Sequence, residues 1–173
     1  MKFGAAVVSA YKKAFMYSGR ATRSEYWWFF LFGFLVNTLI VIGFIIASFS
    51  GLDANAKEGQ AGAAFLSAMI AAISLCWITT GLPAVALGFR RLHDMGQPGW
   101  WIGIQTALQL FTAVSFYTAL SGGGDAASVA GSARLAISSG LMNILQVITL
   151  IMTVVPSQPF ANKYGEPAVS VQD

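Results

Sequence analysis

In the stretch "RRLHDMGQPGWW", residues 90–101, the chain's one histidine stands beside an aspartate, after two arginines and before a pair of tryptophans. An imidazole next to a carboxylate is the pairing a general base needs with its orienting acid, and arginines nearby could hold a carboxylate or a phosphate. The pattern stops short of a catalytic site. Neighbouring side chains at a helix end point in different directions, and no nucleophile accompanies them. One histidine and one cysteine in 173 residues do not supply a zinc site of standard type, and no phosphate loop, nucleophile elbow or HExxH pattern occurs. No metal and no cofactor is expected.

The elements that carry this loop follow from composition. Hydrophobic residues make up 56% of the chain and charged residues 10%, with a mean hydropathy of +0.66, whereas soluble domains carry roughly 25% charged residues. Formal charges are absent from 26–52, 59–89, 95–124 and 135–162. Each gap exceeds the roughly 20 residues that cross about 30 Å of hydrocarbon. The expected fold class is an all-α integral membrane protein, a single membrane domain of four transmembrane helices in a bundle. The spans are placed at about 26–48, 63–92, 100–120 and 134–155, with polar connections at 50–62 and 121–133 and a proline-rich cytoplasmic tail over 156–173.

Residues 1–18 form an N-terminal interfacial amphipathic helix in this reading. Phe3, Val7, Ala10, Tyr11, Ala14 and Phe15 fall on one side of a helical wheel, and Lys2, Ser9, Lys12 and Lys13 on the other. Over anionic lipid the lysines would face headgroups and the aromatic face the acyl boundary. Packing of that face on the protein's own spans is the alternative. The apolar stretch before Lys12 is short and interrupted by Ser9, which does not resemble a cleaved signal.

Most of the 90–101 stretch is explained by ending one span and starting another. The second span should stop near Asp94, with Gly96 as a left-handed cap and Pro98 in the first turn of the next helix. Arg90, Arg91 and His93 then complement the helix dipole, and Trp100 and Trp101 suit the headgroup level, as do Trp27 and Trp28 where the first span begins after a Thr22–Glu25 capping box. Asp94 is the exception, because a carboxylate at a helix C-terminus opposes the dipole unless a cation holds it. We expect Asp94 and Glu25 to join Arg20, Arg23 and Arg91 in an ion-pair network, which either fixes helix packing or leaves an arginine for a lipid phosphate. Further up the same span, Pro83 should leave the carbonyl near Thr79 without its usual donor, with the hydroxyl of Thr79 or Thr80 as replacement.

Within the spans the polar residues are Asn37, Gln105, Gln109, Asn143 and Gln146, besides serines and threonines. Uncharged amides commonly bridge helices, whereas ion and proton pathways usually include an intramembrane charge. Cys76 reads as a small buried hydrophobe. Eight of the ten lysines and arginines lie in the amino-terminal region, the 90–101 connection and the tail. The positive-inside rule therefore puts both termini and that connection in the cytoplasm. The net charge of +3 flanks spans and forms no stripe, so nucleic acid is not an expected partner. Anionic membrane lipids are, together with a homo-oligomer or a membrane protein partner.

"SGRATRSEYWWFFLF" near the start, "RRLHDMGQPGWW" in the middle and "PFANKYGEP" near the end resemble a family of small bacterial inner-membrane proteins, domain of unknown function 805. The resemblance covers nearly the whole chain and rests on Gly19, Arg20, Arg23, Glu25, Tyr26, Trp27 and Trp28, on residues 90–94 with Gly96, Gly99, Trp100 and Trp101, and on Asn162, Tyr164 and Gly165. It implies a multi-pass protein of the bacterial inner (cytoplasmic) membrane with about four helices, and no mechanism. The leading expectation is a non-enzymatic protein whose cytoplasmic motif cluster docks anionic headgroups or a partner. A small oligomeric transporter or channel is the alternative, and an interfacial lipid-modifying enzyme using His93 and Asp94 a third.

Overall fold

A computed structural model describes residues 1–50, 60–121 and 125–168. Among these residues every regular element is a helix: α1 (Phe3–Lys12), α2 (Arg23–Ser50), α3 (Gln60–Cys76), a π-helical turn (Trp77–Gly81), α4 (Leu82–Asp94), α5 (Trp100–Ser121) and α6 (Asp125–Val154). Three stretches are long and apolar enough to cross a membrane: Arg23–Ser48, Ser67–Asp94 and Gly131–Val154. The charge gap at 95–124 holds the helix α5, which is not among these three stretches. Gln105 and Gln109, with several Ser and Thr residues, make α5 less apolar than the other three. The polar loop expected at 50–62 falls largely on 51–59, outside the described residues. The one expected at 121–133 is mostly helix, since α6 starts at Asp125; Ala126, Ala127, Ala130 and Ala133 are strong helix formers, and that propensity outweighs the glycine and serine between them.

The chain divides into two compact units. Met1–Met16 with Ser24–Leu87 form the first, and Tyr17–Arg23 with Gly88–Asp173 the second.

In the first unit α1 lays its aromatic side on α2. Phe3 meets Trp28 edge to face at 5.8 Å, Tyr11 meets Phe29 in the same way at 5.8 Å, and Ala6 and Ala10 are fully buried. This is the packing alternative for that face, while Phe15 and Met16 just beyond the helix stay exposed. Tyr11 also resolves the Pro83 problem. A proline has no N–H for the carbonyl four residues back, and the Tyr11 hydroxyl donates to the Thr79 carbonyl at 2.9 Å. Burial pushes the Tyr11 phenol up, which keeps it protonated as a donor. The two threonines are engaged upstream: Thr79 Oγ1 donates to the Leu75 carbonyl and Thr80 Oγ1 faces both the Cys76 carbonyl and Asn37 Oδ1. The expectation that they serve the freed carbonyl is corrected accordingly. The ladder shifts just before the proline, where the Leu82 amide donates to Trp77 five residues back, and the Trp77 ring packs where a Cβ on Gly81 would stand.

In the second unit α5 and α6 form an antiparallel hairpin. Gln105, near the start of α5, donates to Gln146 Oε1 at 2.5 Å and accepts from Thr149 Oγ1 at 3.3 Å, near the end of α6. Farther along, Ser115 and Ser138 are buried. These are neutral polar contacts of the kind that hold helices together where lipid offers no hydrophobic drive.

Candidate functional site

The site is built where α4 ends. Gly96 takes a left-handed backbone, φ +75°, the Gly96 amide donates to the His93 carbonyl and the Gln97 amide to the Leu92 carbonyl. These are the two hydrogen bonds of a Schellman cap, with glycine where a Cβ is disfavoured. The helix stops at Asp94 as the sequence suggests. Pro98 lies two residues before α5 and not within its first turn; between them, a Cβ on Gly99 would run into the Phe89 ring.

Asp94 is fully buried. Arg20 Nε donates to its Oδ1 at 2.8 Å and Arg91 Nη1 to its Oδ2 at 2.7 Å. The rest of each guanidinium is also engaged. Arg20 Nη1 donates to the carbonyls of Phe160 and Gly165, and Nη2 to those of Asp94 and Gln158. Arg91 Nε and Nη2 donate to the Thr153 carbonyl, Nη2 also to that of Val155, and Nη1 to Ser157 Oγ. A guanidinium has five N–H donors. Arg20 makes five such contacts and Arg91 at least five, all to protein acceptors. The acceptors other than Asp94 come from the end of α6 and from residues 155–165, so the ion pairs tie that segment to the tip of α4.

Other contacts close the same segment. The Gln158 amide donates to the Asp94 carbonyl at 3.1 Å. Asn162 Nδ2 donates to the His93 carbonyl at 3.0 Å and to Gln158 Oε1 at 2.8 Å. The His93 ring stacks on Tyr164 with centroids 3.9 Å apart, and Lys163 Nζ stands 5.0 Å from that ring's centroid. Asn162 and Gly165 exchange both backbone hydrogen bonds, forming the tight turn of "NKYG". His93 Nδ1 lies 3.3 Å from the Gly19 carbonyl; since a carbonyl only accepts, Nδ1 carries the proton in this contact. Asp94 therefore serves arginines and not the imidazole, and the two neighbours do not form a base with its orienting acid.

The remaining sequence-derived residues take varied places. Arg90 is buried, and its carbonyl accepts from the Ala21 amide. Arg23 is exposed, with Nη1 3.5 Å from the Val154 carbonyl. In the first unit, Glu25 Oε1 accepts from Ser9 Oγ at 2.8 Å, Trp28 Nε1 donates to the Met1 carbonyl, and Trp27 meets Phe30 edge to face. Trp100 and Trp101 stack on each other at 4.3 Å, and Trp100 is exposed. Asn37 pairs with Thr80 in the first unit and Gln105 with Gln146 in the second, whereas Gln109 and Asn143 are exposed. Ser157 and Gln158 belong to none of the sequence motifs. Their one signal is position, between the end of the last span and the "NKYG" turn.

Residues 14–166 match the family described as "Protein of unknown function (DUF805)". The chain belongs to this family. Arg20, Arg91, Asp94 and the "NKYG" turn, which meet at the end of α4, all lie inside the DUF805 match. Among curated proteins the chain is similar to "Inner membrane protein YhaI" of Escherichia coli K12 and of Escherichia coli O157:H7, each 36% identical over 95 residues. That alignment covers 54% of this chain and 64% of the relative, less than two thirds of its length. No solved structure matches the chain. This DUF805 chain is a membrane protein with membrane-spanning helices, similar to a protein of the inner membrane.

Proposed function

We propose a non-enzymatic inner-membrane protein of four spans with both termini in the cytoplasm, in which the motif residues divide between two tasks. Arg20, Arg91 and Asp94 clasp the tail to the end of α4. Arg23 meets the phosphate of an anionic lipid headgroup. The observation that carries this reading is the contrast in commitment: Arg20 and Arg91 spend at least five donor contacts each on the protein, while Arg23 is exposed and has one long contact of 3.5 Å. An exposed guanidinium at the start of a spanning helix matches phosphate geometry well.

The fourth span is α5. Its 22 residues are about 33 Å long at about 1.5 Å per residue, and it pairs antiparallel with α6 along the Gln105–Gln146 seam, so both helices occupy one range of depth. With four crossings both termini share a side, and the distribution of Lys and Arg puts that side in the cytoplasm. Lys2, Lys12 and Lys13 on α1 are exposed, as are Phe15 and Met16 beyond it, a pattern that suits a helix at an anionic surface.

The test is native mass spectrometry of the gently extracted protein with phosphatidylglycerol and phosphatidylcholine offered together. A basic residue near an anionic surface contributes about 1 kcal/mol, so Arg23→Gln should lower the preference for phosphatidylglycerol about fivefold and leave thermal stability unchanged. Arg20→Gln should do the reverse. Undiminished phosphatidylglycerol retention in Arg23→Gln would remove the headgroup assignment.

A further inference from the structure

The α5–α6 hairpin uses only some of its amides internally. Gln105 is buried in the seam with Gln146 and Thr149. Gln109 is exposed and has no side-chain hydrogen bond among the described residues. Asn143 is exposed and donates one N–H to the Ser139 carbonyl of its own helix at 2.8 Å, which leaves its other N–H and its carbonyl oxygen directed elsewhere.

These two residues share a level and a side. Going from Gln105 to Gln109 climbs about 6 Å along α5, and going back from Gln146 to Asn143 moves about 4.5 Å in the same direction along the antiparallel α6. Because 105 and 146 are in contact, 109 and 143 stand at nearly one height. Offsets of three and four residues keep each close to the face of the amide it follows, so both flank the seam on the side where Gln146 emerges. Asn143 also lies at the middle of the span Gly131–Val154. An amide exposed there faces hydrocarbon, where an unpaired polar group is costly and no water replaces the partner.

We infer that this flank is the surface on which a second copy of the chain docks, with Asn143 meeting Asn143 of the other copy across a twofold axis along the membrane normal and Gln109 completing the amide cluster. Two copies inserted in the same orientation present the same depth to each other, and an amide is both donor and acceptor, so it complements itself. A lipid tail offers neither group. Close approach is open on the same side: Ala136 and Gly140, four residues apart, are exposed, and a Cβ on Gly140 would meet nothing within 4 Å. The inference does not rest on the headgroup assignment of Arg23.

The experiment is disulfide formation in native membranes, in the full chain with Cys76→Ala. Asn143→Cys should give a covalent dimer on mild oxidation. Leu141→Cys, at almost the same depth but about 200° around the helix and likewise exposed, should give at least tenfold less. In native mass spectrometry, Gln109→Leu with Asn143→Leu should weaken dimerisation about tenfold, while the monomer keeps its thermal stability. Equal cross-linking at 141 and 143, no dimer from either, or an undiminished dimer in the double-leucine variant would overturn the inference. Rapid labelling of Asn143→Cys by a membrane-impermeant thiol reagent would overturn it in favour of a water-filled path.

Discussion

At the scale of single residues, Asp94 decides what the motif does. A carboxylate at the negative end of a helix dipole is unfavourable alone, yet Asp94 is fully buried between two guanidinium groups whose other donors end on carbonyls and one serine hydroxyl. Removing its charge takes a buried counterion away from both arginines, and breaking a buried pair in this way costs about 3–5 kcal/mol. Asp94→Asn should therefore lower stability by about that amount, read from thermal unfolding in detergent; unchanged stability would mean the ion pairs are not what holds the tail. Arg20 and Arg91 are not interchangeable with lysine for the same reason. An ammonium has three donors on a point charge, too few and too narrow to bridge Asp94 and the separate carbonyls that each guanidinium reaches.

At the scale of elements, the end of α4 and the tail depend on one glycine. Gly96 satisfies the left-handed cap and also leaves room for Gln158, whose amide nitrogen would lie 2.7 Å from a Cβ at that position. Gln158 in turn accepts from Asn162 and, through its backbone, donates to Asp94. Gly96→Ala should cost about 1–2 kcal/mol from backbone strain and loosen residues 156–165, seen as faster cleavage there in limited proteolysis with the spans intact. A tail as resistant as in the parent would show that the close approach at Gly96 is dispensable. Farther along the same span, the π-helical turn and Pro83 leave the Thr79 carbonyl to Tyr11, so the first helix of the chain is part of how this span tolerates its proline.

At the scale of the whole molecule, the proposed topology makes a prediction independent of both clusters. In a Cys76→Ala background, single cysteines at positions 59 and 125 should react with an impermeant thiol reagent added outside, and a cysteine at position 96 only after the membrane is opened. Reversed accessibility would sink the orientation. An outside-reactive position 59 with an inside-reactive position 125 would leave α5 as a helix that does not cross.

Much of this is legible in the sequence. Charge-free segments mark helices because hydrocarbon excludes charge and leaves no other way to satisfy the backbone, and the end of α4 at Asp94, the cap at Gly96 and the freed carbonyl at Thr79 follow from local chemistry within a few residues. The sequence by itself determined that Asp94 needs a cation and offered Arg20, Arg23 and Arg91 as candidates. Only the tertiary structure decided that Arg20, 74 residues away, and Arg91 pair with it, and that the other donors of both arginines turn to the carbonyls of Thr153, Val155, Gln158, Phe160 and Gly165. Backbone carbonyls exist at every residue and leave no mark in composition or spacing, so which of them a guanidinium meets is settled only when the chain folds back on itself. The same holds for the amides: their presence in the spans is plain to read, but which face inward and which outward depends on how α5 turns against α6.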